Sequence, residues 1–94
     1  MSYCRTTLFE YNSEKDADEL VAHYRENASS NFPDAEILIC TRTGPTTAVM
    51  NSVYPDKETA DNAMAARKSK IKGHGEKIKN FKTHQGEVAL ALVR

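Results

Sequence analysis

Arg67 and His74 are the residues whose type and position most directly suggest chemistry. Arg67 falls in the middle of an apolar stripe formed at helical spacing by Ala60, Ala63, Met64 and Ile71. A charge in that position must be paired or must bind something, because an isolated buried charge is costly. The alanines leave space beside Met64, so Arg67 can offer parallel N–H groups to a carboxylate or enolate ligand. The plainer alternative lays its stem on the core edge and sends its head to water or to a strand carboxylate. His74 stands between Gly73 and Gly75. Flanking glycines permit a tight turn that exposes the imidazole, whose near-neutral titration suits a general base at a pocket mouth. The plainer alternative is a solvated loop histidine.

Tyr3, Arg5, Phe9 and Tyr11 share one face of an extended segment by alternation. They can form a pocket floor for a small aromatic or anionic ligand. The same residue types serve equally as anchors of a dimer interface. His23 lies off the apolar stripe of its helix, and His84 is uninformative alone. No Gly-rich phosphate loop, nucleophile elbow or pair of catalytic carboxylates is recognisable. Cys4 and Cys40 have no metal-ligand spacing to each other or to the histidines, so the expectation is two reduced thiols, no metal and no cofactor.

These residues need elements to position them. Residues 3–11 are rich in aromatic and β-branched types and read as a strand. Ser13 followed by Asp16 resembles a helix-capping box, and Ala17, Leu20, Val21, Tyr24 and Ala28 then fall on one helical face. Residues 35–42 and 47–54 read as two strands joined by the turn Thr43-Gly44-Pro45-Thr46. Asp56 caps a second helix that breaks at Gly73-His74-Gly75. A short helical continuation through Ile78 and Phe81 is predicted, then a turn at Gln85-Gly86 and a final strand at Val88–Val93.

The order is βαββαβ in one domain, residues 1–94. Right-handed crossovers then give a ferredoxin-like antiparallel four-stranded sheet with both helices on one face, an α+β fold. Thirteen basic residues balance thirteen acidic ones, which gives no overall attraction to nucleic acid or anionic membrane. Residues 67–84 are nevertheless basic, with Arg67, Lys68, Lys70, Lys72, Lys77, Lys79 and Lys82 against Glu76. That patch can bind phosphate or nucleic acid, or be a solvated helix face. The RNP1 pattern of RNA-binding sheets is absent from Thr46–Tyr54, so nucleic acid is not the expected partner. No apolar run approaches the ~18 residues of a membrane span, and no signal-peptide pattern opens the chain. The expected location is the cytoplasm.

The second face of the sheet should be polar if it meets water, yet the segment Val88–Val93 is apolar throughout. A second copy covering that face resolves the conflict. The βαββαβ order, the length of 94 residues and the apolar second face together resemble the dimeric α/β-barrel superfamily, which includes the antibiotic-biosynthesis-type monooxygenases and the stress-responsive barrel proteins. The resemblance is one of architecture over the whole chain. It implies a homodimer of back-to-back sheets and carries no reaction with it. Haem-degrading members use an Asn, a Trp and a His; this chain has no Trp, and neither Asn51 nor His74 carries that role over. The functional expectation is a cofactor-free enzyme or binder of a small aromatic or acidic metabolite. Arg67, Tyr3, Arg5, Tyr11 and Met64 would hold the ligand, and His74 would assist proton transfer. The alternatives are a non-catalytic homodimeric interaction module and an anion or nucleic-acid binder using residues 67–84.

Overall fold

Each element begins where the local chemistry starts it. A computed structural model describes residues 2–72 and 75–94, apart from the side chains of residues 66–72. Strand β1 (Tyr3–Tyr11) leads into α1 (Glu14–Asn31), whose N-cap is Ser13: its Oγ accepts from the Asp16 backbone N–H at 3.1 Å. Strands β2 (Ile37–Gly44) and β3 (Thr47–Tyr54) form the expected hairpin. Helix α2 (Lys57–Lys72) is started by Asp56, whose carboxylate accepts from the Thr59 N–H at 2.8 Å. That bond holds the Asp56 carboxyl below its ordinary pKa. At the hairpin turn a side chain on Gly44 would press to 2.8 Å from the Thr47 hydroxyl, which Thr43 already holds.

The sheet is fully antiparallel in the order β2-β3-β1-β4, where β4 is Ile78–Glu87. The ferredoxin-like expectation therefore holds, but the last strand differs from the one predicted. Ile78 and Phe81 belong to the strand, not to a helical continuation, and Gln85-Gly86 lies within it, not in a turn. Residues 88–94 form no strand. The reason lies in register. Tyr3 of β1 pairs with Glu87, so β1 has almost no backbone left for Val88 onward to pair with. Val88 donates one bond to the Ser2 carbonyl at 2.9 Å, and the chain then bends at Ala89. The Lys/Asn/His/Gln-rich composition of β4 concealed a strand because it is an edge with exposed positions.

One face of the sheet carries both helices. Ala17 and Leu20 of α1 pack with Phe9, Tyr11, Ala48 and Met50, joined by half-buried Val21, Tyr24, Cys40 and Ile78. Ala60 is the fully buried contact of α2, which lies on β1 and β3. Lys77 bonds Glu19 at 2.7 Å and Asn12 bonds the Glu76 carbonyl at 2.6 Å, tying the approach to β4 against the start of α1. The Lys77 partner lowers the pKa of Glu19, and Glu19 raises that of Lys77. No helix is long and apolar enough to cross a membrane among the described residues.

Candidate ligand site under the helices

Alternation along β1 sends Tyr3, Arg5, Thr7, Phe9 and Tyr11 to the helix-covered face. The dimer-anchor reading of Tyr3, Arg5, Phe9 and Tyr11 is therefore overturned. The helices already occupy the face they point to, and Cys4, Thr6 and Leu8 point to the bare one. Neighbouring strands complete the covered surface. Register sets Tyr54 beside Tyr3, Ser52 beside Arg5 and Met50 beside Thr7, with Gln85, Thr83 and Phe81 on the β4 side. Tyr54 is buried, and Phe9 stacks on Tyr11 with ring centroids 5.9 Å apart and meets Phe81 at 6.0 Å.

Arg5 is the unusual member. It is 1% exposed, and its Nε and Nη2 both donate to the Oε1 of Gln85, at 3.3 and 3.2 Å. Among the described residues no carboxylate stands within ion-pairing distance of it; the ion pairs there are Arg42–Asp18, Lys57–Asp61, Lys77–Glu19 and Lys79–Glu10. Among the described residues one neutral oxygen fixes the orientation of this buried guanidinium and no carboxylate offsets its charge. Three further N–H groups and a full positive charge are suited to a carboxylate, a phosphate or an enolate.

The predicted site residues divide accordingly. Tyr3, Arg5 and Tyr11 lie on one continuous face, and Met64 is half-buried on α2, which packs over the same sheet. Arg67 belongs to α2, but its side chain lies outside the described residues, as does the whole of His74. Gln85 was missed by sequence reasoning, which assigned it to a turn. Only the cross-strand pairing of residues 80 positions apart brings it to Arg5. An open groove of about 240 Å³ lies at the other end of β4, lined by Gly75, Ile78, Lys79, Asn80 and Phe81. Two lysines of the basic segment have carboxylate partners, Lys77 with Glu19 and Lys79 with Glu10 at 3.6 Å. Cys4 and Cys40 are free and lie on opposite faces of the sheet, so they cannot bond within one protomer. Burial raises the pKa of the Cys40 thiol. No group of three His, Cys, Asp or Glu side chains suited to a metal occurs among the described residues.

Solved structures share this arrangement over nearly the whole chain. A putative antibiotic biosynthesis monooxygenase from Chloroflexus aurantiacus superposes with a TM-score of 0.79 at 15% identity, covering 99% of this chain and 98% of its own. The shared fold is the ferredoxin-like one. A dimeric ferredoxin-like protein from an uncultured marine organism gives 0.78 at 10% identity, covering 99% and 92%. A monooxygenase from the ActVA-Orf6 gene of Streptomyces coelicolor, solved with nanaomycin D, gives 0.77 at 10% identity, covering 99% and 92%. No protein-family model matches the chain, and no curated protein is similar to it in sequence. At such identities the likeness is one of fold, which leaves the chemistry to this chain's own residues.

Proposed function

We propose that this protein is a homodimer of back-to-back sheets that binds a small acidic metabolite, aromatic in its body, on the helix-covered face of each protomer. One observation carries the ligand reading: Arg5 is buried, and among the described residues its only side-chain acceptor is the neutral Oε1 of Gln85. A charge in that setting destabilises the fold unless an anion compensates it. A ligand carboxylate supplies the missing negative charge, and Gln85 keeps the guanidinium turned to receive it. Tyr3, Tyr54 and Phe9 offer aromatic surface along the same face for the body of the ligand. Met64 and Arg67 on α2 are the candidates to close over it, and His74 is the candidate for proton transfer if the ligand is transformed. The homodimer is supported by the exposed Leu8 and Ile39 on the bare face and by the dimeric protein of the same fold.

Thermal shift with small aryl carboxylates and their neutral amides tests the ligand reading. A carboxylate at about 100 times its Kd should stabilise the native protein by about 2.7 kcal/mol, and the matching amide should have no effect. Arg5→Met should lose that response and be more stable without ligand by about 1–4 kcal/mol, since a buried uncompensated charge is gone. Arg5→Met protein that still answers carboxylates as the native protein does would overturn the reading. So would Arg5→Met protein that no longer folds, because Arg5 would then be structural.

A second reading is a non-catalytic homodimeric interaction module. The aliphatic bare face favours it, and it predicts no carboxylate response in any variant.

A further inference from the structure

Three large apolar side chains of the strands are exposed: Leu8 and Ile39 on the bare face, and Phe81, at 47%, on the helix side. A second sheet would cover the first two but not Phe81. Register sets Phe81 opposite Phe9, and the two rings meet at 6.0 Å. Both helices lie chiefly on β1 and β3, which leaves the helix side of β4 as an open ledge. Along it Phe81 and Gln85 are exposed, and Thr83 between them is half-buried.

The two ends of the ledge differ in chemistry. At one end Gln85 holds Arg5. A guanidinium has donors only, so the Gln85 amide turns its oxygen to Arg5 and its Nε2 offers two further N–H groups. Arg5 spends its Nε/Nη2 edge on that oxygen, which leaves the Nη1/Nη2 edge with the parallel N–H pair that forks a carboxylate. This end suits acceptors and negative charge.

At the other end lies the groove of about 240 Å³, where Ile78 and Phe81 give apolar surface. Lys79 is the one charged residue lining it, and its ammonium already stands 3.6 Å from the Glu10 carboxylate. A cavity of about 150 Å³ holds a benzene ring, whereas pockets for whole small molecules run from about 300 Å³ upward. The groove therefore suits one uncharged end of a ligand. Four residue steps separate Phe81 from Gln85, about 14 Å along a strand.

We infer that the ligand is an elongated arylalkanoate lying along β4, with its carboxylate on Arg5 and Gln85, its chain over Thr83 and its ring against Phe81 in the groove. This rests on the Arg5 reading above and adds to it the length of the ligand and the place of its ring. The carboxylate comes in from the open side of β4, where Gln85 is exposed. A ring is favoured over a plain alkyl end because the Phe9–Phe81 pair offers it aromatic faces and edges.

Isothermal titration calorimetry with phenylacetate, phenylbutanoate, phenylhexanoate and phenyloctanoate, and with their neutral amides, tests this. Each methylene buried along β4 should add up to about fourfold in affinity. With one side of the chain left in water, the rise from phenylacetate to phenylhexanoate should be at least about tenfold. The amides should not bind. Phe81→Ala should bind phenylacetate as the native protein does and lose most of the rise. Acids that all bind with one affinity would overturn the ledge and leave the Arg5 reading standing. A rise that survives unchanged in Phe81→Ala would do the same, and decanoate binding more tightly than phenylhexanoate would overturn the ring. Amides that bind as tightly as the acids, or acids that do not bind at all, would overturn both readings. The length series on the native protein stays decisive if Phe81→Ala does not fold.

Discussion

Each face of the sheet holds, beside the residues expected on it, some that are expected on the other. The face covered by the helices holds an arginine, two threonines or serines and a tyrosine among its buried residues: Arg5 at 1% exposure, Thr7, Ser52 and Tyr54. The face left bare holds Ile37, Ile39, Val49, Val53 and Leu8, with Ile39 and Leu8 both well exposed. Polar residues share it: the Thr6 hydroxyl donates to Asn51 Oδ1 at 2.6 Å, and His84, Lys82 and Thr41 lie on the same face. In the proposed homodimer a small anion would offset Arg5 on the covered face, and a second sheet would cover Leu8 and Ile39 on the bare one.

Putting a charge on the bare face should break this contrast most severely. Ile39→Asp places a carboxylate where a second sheet would pack in the proposed homodimer. It should reduce the solution mass from twice 10.5 kDa to the single value at micromolar concentration, with little loss of protomer fold because Ile39 is half exposed there. An unchanged mass would mean that the bare face is not the interface. On the covered face the limit is space. Ala60 is fully buried between α2 and the sheet, so Ala60→Leu should cost about 1–3 kcal/mol by overpacking, seen as a lowered denaturation midpoint. The mass should be unaffected, which separates the two faces experimentally.

The smallest effect concerns how α2 is started over the site. Asp56 has its carboxyl pKa lowered chiefly by its bond from the Thr59 N–H. A depressed folded pKa means that its contribution is fully present above the unfolded value, near 3.8, and is lost as pH falls through the lower folded value. Asp56→Ala should lower Tm by a few degrees at pH 7 and by less as the pH drops below that window. A difference between the two proteins that does not shrink in acid would show that the cap acts through shape and not through charge.

Much of the architecture was legible because it is written locally. The caps at Ser13 and Asp56, the stripe Ala17-Leu20-Val21-Tyr24-Ala28 and the Thr43–Thr46 turn each depend on residues only a few positions apart. The alternation of β1 correctly grouped Tyr3, Arg5, Phe9 and Tyr11. What alternation could not supply was which group the helices would cover, because a strand has two faces and its own residues do not name the neighbour on either. Taken alone, the aromatic group looked like the interface; burial put it beneath the helices instead.

The sequence by itself determined the element order, the helix starts and the presence of more apolar surface than one protomer can bury. Those follow from side-chain periodicity and from hydrogen bonds that close within a turn. Only the tertiary structure decided the bounds of β4, the exposure of the 88–94 segment and the meeting of Arg5 with Gln85. Each of these is a matter of register between strands far apart in the chain. Register is set by how β1 runs out at Tyr3 against Glu87, which no local pattern around residues 78–93 records.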